Sequence, residues 1–165
     1  MIKRPEIGSK ALRAGRVSEV GRLYFITKNA GERVRPDWTA EERLAHGRLV
    51  QPGVPEIILD SLDWRQQQAL ICLYAYCLMP DHLHLLYQLG PTADLSNVMQ
   101  RFGSFTGRSI CRHGGRARVW SDGFHDHALR SETVLGDVVA YIHENPVKAG
   151  LVTAATEWPW SSATG

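Results

Sequence analysis

Cysteine is scarce in this chain and has no pattern. Cys72, Cys77 and Cys111 are an odd set of 3 with no C-x-x-C spacing, which indicates neither a disulfide framework nor a zinc ribbon and predicts buried, reduced thiols. Long apolar runs are missing as well. None approaches the ~20 residues of a membrane-spanning helix, and the start Met1-Ile2-Lys3-Arg4-Pro5 lacks the apolar segment of a secretory signal. The expectation is a cytoplasmic protein with no membrane partner. A phosphate-cradling Walker A loop is absent too: Gly103-Ser104-Phe105-Thr106-Gly107-Arg108-Ser109 has the wrong spacing and no lysine. There is no internal repeat, no low-complexity linker and no large net charge, the formal value being +2.

At 165 residues, with 44% hydrophobic and 22% charged side chains, the chain has the size and composition of one globular domain, read here as 1–165. Its positive charge is local. Residues 1–16 hold Lys3, Arg4, Lys10, Arg13 and Arg16 against Glu6, and residues 99–130 hold six arginines against Asp122 and Asp126. Such patches suit phosphate backbones, although solvated arms and helix faces carry them as well. The arm is taken as 1–20 and a loop-like tail as 150–165.

Between them, β-rich residues 22–28 predict a first strand. Residues 38–49 and 55–69 predict helices, the second burying Ile58, Leu62 and Trp64 or Arg65. Residues 70–79 and 82–89 predict a strand hairpin turning at Met79-Pro80-Asp81. Residues 95–113 predict a helix capped by Thr92 or Asp94 whose Arg101, Arg108 and Arg112 share one face. Val119-Trp120 and residues 124–130 predict short extended segments. A last helix runs from a Ser131 cap to Asn145, where Pro146 is expected to stop it. Helices interrupted by a hairpin, without regular strand-helix alternation, give an α+β domain: an antiparallel sheet with helices packed on it.

His82 and His84 break an otherwise apolar strand. Residues i and i+2 of a strand share a face, so both imidazoles project one way while Leu83, Leu85 and Tyr87 project the other. Two ligands of one metal ion are placed in that manner. Imidazole suits zinc, copper, iron or nickel, and also manganese or magnesium where carboxylate, amide or phosphate oxygens complete the shell. Two satisfied histidines are the alternative, and the strand alone does not separate the two.

A third element lies in Tyr141-Ile142-His143-Glu144-Asn145-Pro146. On a helix Tyr141 and Asn145 look to one side and His143 to another, with Glu144 near the first. A tyrosine hydroxyl beside a metal site can attack phosphorus as the metal neutralises a phosphate oxygen. Core packing is the other role such a tyrosine plays.

Taken together, Leu78-Met79-Pro80-Asp81-His82-Leu83-His84-Leu85-Leu86, Phe124-His125-Asp126-His127-Ala128-Leu129-Arg130, Tyr141-Ile142 followed by Asn145-Pro146-Val147-Lys148-Ala149-Gly150-Leu151-Val152, and Trp158-Pro159-Trp160-Ser161-Ser162 resemble the REP-associated tyrosine transposases. These are relatives of the single-tyrosine HUH transposases of small bacterial insertion sequences. The start around Leu12-Arg13-Ala14-Gly15-Arg16 is similar too. The resemblance implies a ferredoxin-like or RRM-like domain of HUH endonuclease type that cuts single-stranded DNA beside a hairpin. It implies His82 and His84 as ligands of Mg²⁺ or Mn²⁺, Asn145 as third ligand, and Tyr141 as the nucleophile that becomes linked to the 5′-phosphate. Relatives often carry glutamine where Asn145 stands, a longer arm than asparagine's. The working unit it implies is a monomer or a homodimer.

By the same resemblance Arg13 and Arg16 are expected to hold DNA bases; Arg101, Arg108 and Arg112 form a face that is either solvated or in contact with DNA phosphates, and Lys148 either meets phosphate or complements the helix C-terminus. Trp158 and Trp160 are read as caps on the core in preference to base-stacking platforms. His125 and His127 are read as a local hydrogen-bonding cluster. The rivals are a domesticated, non-catalytic hairpin-binding protein and a structural zinc module, the latter disfavoured because no cysteine adjoins the histidines in sequence.

Overall fold

The computed structural model describes residues 18–114, 118–129 and 135–165. Four strands, β1 (Leu23–Asn29), β2 (Ile71–Leu78), β3 (His82–Leu89) and β4 (His125–Ala128), form one sheet in the order β2-β3-β1-β4, with every neighbouring pair antiparallel. The helices are α1 (Ala40–His46), α2 (Val54–Gln67), α3 (Leu95–Arg112) and α4 (Leu135–Lys148). Two crossovers, β1 to β2 and β3 to β4, each skip over an inserted strand, which is the ferredoxin-like arrangement.

Period-two alternation divides β3 between two cores. Leu83, Leu85, Tyr87 and Leu89 are buried in one cluster with Ile58 and Leu62 of α2 and Val98, Met99, Phe102 and Ile110 of α3. Leu86 points the other way, into a second cluster with Val138 and Ile142 of α4 and Trp158. The buried positions of α3 and α4 recur every three or four residues, so each helix presents one apolar stripe to its side of the sheet. Helices α2 and α3 therefore cover one face, and α4 packs over β2 and β3 on the other.

Local chemistry sets the element ends. Asp94 caps α3 by accepting from Asn97 N–H at 2.9 Å, and Thr39 with Glu42 forms a capping box on α1. Helix α1 is shorter than expected, a 3₁₀ turn at Arg48–Val50 taking the rest of the predicted span. In α2 it is Arg65 that is buried, beside Ile58 and Leu62, while Trp64 is 53% exposed.

Pro146 does not stop α4. The helix continues to Lys148 and ends where Gly150, at φ +69°, closes a Schellman motif: Leu151 N–H donates to Pro146 C=O at 2.9 Å and Gly150 N–H to Val147 C=O at 2.9 Å. Proline near a helix end removes only one hydrogen bond, to Ile142 C=O. The Ser131 cap expected for this helix lies outside the described residues. The thiols also depart from expectation, because Cys72 is exposed and only Cys77 is fully buried, where burial pushes its pKa up to about 12.

The tail lies along the free edge of β2. Leu78 N–H donates to Trp160 C=O at 2.8 Å, Ser161 bridges to Cys77, and Tyr76 N–H donates to Ser162 Oγ at 3.0 Å, which occupies an edge that would otherwise be open. Trp158 is 3% exposed, and its indole N–H donates to Leu78 C=O at 2.9 Å, so this residue does cap the core. Trp158→Ala should lower the unfolding free energy by roughly 3–5 kcal/mol in urea denaturation. A loss below about 1 kcal/mol would show that the tail is not part of the folded core.

Candidate active site

The strand registers define rows of side chains on the α4 face of the sheet. One row reads Cys77, His84, Thr27, His125 and the next Ala75, Leu86, Phe25, His127. His82 and His84 stand on this face together, with ring centroids 4.7 Å apart and planes at 76°. His84 is 1% exposed.

Both rings are held through the same nitrogen. His82 Nδ1 donates to Asp81 Oδ1 at 2.7 Å, and His84 Nδ1 shares a 3.0 Å hydrogen bond with Thr27 Oγ1. Both rings are thus fixed in orientation through Nδ1; the Asp81 carboxylate, which can only accept, also sets the His82 tautomer, and Nε2 is the nitrogen that faces a metal in such an arrangement. Asp81 is itself buried and anchored, its Oδ2 accepting from Arg33 Nε at 2.6 Å and Val34 N–H at 3.0 Å. Burial alone would raise the Asp81 pKa. The hydrogen bond and charge of His82, with the Arg33 guanidinium, outweigh it and hold the carboxyl below its ordinary range.

Helix α4 brings Tyr141 to the same place. Its ring meets His84 edge-on at 5.7 Å and Phe25 at 5.8 Å, while Phe25 stacks on His84 at 5.4 Å. Tyr141 remains 37% exposed. Lys148 Nζ lies 5.3 Å from the centre of the Tyr141 ring, so a cation sits beside the hydroxyl-bearing ring. Asn145 is on the same side of the helix, and its amide Nδ2 donates to Tyr141 C=O at 2.7 Å. His143 turns away, as its position two residues along requires, to Ser162 Oγ at 2.9 Å.

His82, His84, Tyr141 and Lys148 therefore converge, whereas Arg101, Arg108 and Arg112 are exposed on α3, in the layer behind the opposite face of the sheet. Arg13 and Arg16 lie outside the described residues. Among the described residues no group of three His, Cys, Asp or Glu is placed to hold a metal. The donor set fits a divalent ion that accepts mixed nitrogen and oxygen ligands. Thr27, Phe25 and Asp81 escaped sequence reasoning. Only Asp81 carried a local signal, being next to His82.

The anchoring of Asp81 has a pH signature. A carboxyl whose folded pKa is depressed adds stability above its unfolded pKa and loses it as pH falls through the folded value. Wild-type unfolding free energy should thus drop on acidification below about pH 4, in keeping with the ordinary carboxylate range, and Asp81→Asn should flatten that drop while costing about 1–3 kcal/mol at pH 7. Parallel pH profiles in urea denaturation would contradict the assignment.

The family model described as "Transposase IS200 like" matches residues 49–145, a span containing both histidines, Tyr141 and Asn145. A REP-associated tyrosine transposase of Escherichia coli K12 is 30% identical over 88 residues, covering 53% of this chain and 52% of the relative. A Haemophilus influenzae relative assigned to the same group is 33% identical over 99 residues, covering 53% and 56%. The chain spans about half the length of the curated relatives it matches. A REP-associated tyrosine transposase solved bound to a REP hairpin shares the fold, with TM-score 0.66 at 22% identity over 89% of this chain and 79% of that one. The histidine pair and the tyrosine helix, joined in one site by this sheet, thus fall within a span matched by its model, and the chain belongs to the IS200-like transposase family, in which it resembles the REP-associated tyrosine transposases.

Proposed function

We infer that this protein is a metal-dependent single-stranded DNA endonuclease and strand transferase that cuts beside hairpin, REP-like DNA through a 5′-phosphotyrosine. The observation that carries the reading is the packing of the Tyr141 ring against His84, 5.7 Å away, with His82 beside it and both imidazoles held through Nδ1. A tyrosine placed only for packing has no need of an adjoining pair of oriented imidazoles. The hairpin substrate is read from the relatives, one of which was solved with a REP hairpin bound.

In this reading Tyr141 Oη loses its proton and attacks the scissile phosphorus. The Oη–P bond forms, the P–O3′ bond breaks, and the strand ends in a free 3′-hydroxyl. Attack by a 3′-hydroxyl on the phosphotyrosine reverses the step, so the phosphodiester energy is kept and no nucleotide is consumed. Mg²⁺ or Mn²⁺ held by His82 and His84, with the Asn145 amide oxygen as third donor, would supply positive charge against the phosphate oxygens. The bond from Asn145 to the Tyr141 carbonyl uses the amide nitrogen, not the oxygen. Lys148 adds fixed charge next to the nucleophile.

Tyr141 meets a histidine of its own chain, which favours a cleavage centre built within one chain. We assign Arg13 and Arg16 to the bases near the cut. Arg101, Arg108 and Arg112 fit phosphates of DNA that wraps beyond the cleavage face.

Labelled hairpin DNA incubated with Mn²⁺ or Mg²⁺ should give a covalent adduct on a denaturing gel, abolished by Tyr141→Phe and by chelation, and slowed about 10²–10³-fold by His84→Ala. An adduct that survives Tyr141→Phe would overturn the nucleophile. Binding without any adduct would make this a hairpin-binding protein instead.

A further inference from the structure

Burial along the two side-chain rows falls off in one direction. Ala75 and Leu86 are fully buried, Phe25 is half-buried and His127 is exposed; Cys77 and His84 are buried, Thr27 is 8% exposed and His125 is open. Helix α4 covers β2 and β3, and Tyr141 stands at the margin of that cover. A DNA strand reaching the Tyr141 hydroxyl must therefore lie over the β1–β4 half of the face.

His127 is on that half, directly opposite Phe25, the residue whose ring touches both Tyr141 and His84. Directly opposed residues have Cβ atoms about 4.5–5.5 Å apart, so the imidazole stands one strand beyond the ring on which Tyr141 packs. His125 faces the same way and has a partner of its own. Beyond its backbone pairing in the sheet, the His127 imidazole makes no hydrogen bond or ion pair among the described residues.

Attack and departure at phosphorus are roughly in line. With the tyrosine on the helix-covered side, the departing 3′-oxygen points toward the open side, where β4 runs. An alkoxide is a poor leaving group, and imidazole is the side chain that gives and takes protons most readily near neutral pH.

We propose that His127 is a catalytic residue of this site that protonates the departing 3′-oxygen during cleavage and takes the proton back when strands are rejoined. This rests on the phosphotyrosine reading above. In cleavage the imidazolium proton moves to O3′ as the P–O3′ bond breaks, leaving neutral imidazole and a 3′-hydroxyl, and the phenolic proton of Tyr141 passes to solvent. In rejoining, the imidazole removes the hydroxyl proton as O3′ attacks phosphorus, and the phenolate released from phosphorus is reprotonated from solvent.

A bridging 3′-sulfur at the scissile position tests this, because a thiolate departs without protonation. Single-turnover adduct formation by wild type, His127→Ala and His127→Gln should be compared on oxygen- and sulfur-bridged hairpin DNA. Both variants are expected to lose about 10²-fold or more on the oxygen substrate and less than about threefold on the sulfur one, where no proton transfer is left to lose. The ratio within each variant is independent of how much of the preparation is folded. Equal losses on the two substrates, or no loss on oxygen, would overturn the proposal and leave the phosphotyrosine reading standing. A wild type that forms no adduct on either substrate would overturn both.

Discussion

Everything in this molecule depends on the register of β3. The strand is internal, with β2 on one side and β1 on the other, and its two faces are committed to different tasks: leucines and Tyr87 to the core under α2 and α3, histidines and Leu86 to the face under α4. A slip of one residue would exchange the faces, burying two imidazoles in hydrocarbon and removing the proposed metal donors at once. The two-residue turn at Pro80-Asp81 prevents that, with Met79 N–H donating to His82 C=O at 2.8 Å. Asp81 serves twice, since the residue that closes the turn also orients His82.

Helix α4 is the second half of the arrangement. Val138, Ile142 and Pro146 bury themselves against the sheet at a spacing of four, which leaves the preceding residue, Tyr141, at the border of the covered surface. The packing that stabilises the helix is thus what sets the height and angle of the tyrosine ring above His84. Gly150 then turns the chain back so that the tail can reach the edge of β2, and Trp158 closes the small core below the site. Among the described residues no helix covers the β1–β4 half of that face, as a nucleic-acid strand at the proposed site would require.

Local periodicity made much of this legible. The shared face of His82 and His84 follows from a period of two, and the shared side of Tyr141 and Asn145 from a period of 3.6, and both hold in the structure. Thr27, Phe25 and His127 were not legible in the same way, because their place beside the histidines comes from pairings between strands far apart in sequence. The spacing of Arg101, Arg108 and Arg112 correctly put them on one side of a helix. No local pattern says which face of the sheet that helix covers, and α3 packs on the face away from Tyr141. Pro146 misled because its cost depends on position: near the last turn it removes one hydrogen bond and leaves the helix intact.

The central claim is that one tyrosine on α4 and two imidazoles on β3 form a single phosphoryl-transfer centre. Its most direct test is to trap the covalent protein–DNA adduct formed on hairpin DNA, digest it, and locate the modified peptide by mass spectrometry. The account predicts a nucleotide phosphate on Tyr141 in the peptide that also carries Asn145. A modification on any other residue, or an unmodified Tyr141 peptide after complete strand cleavage, would contradict it.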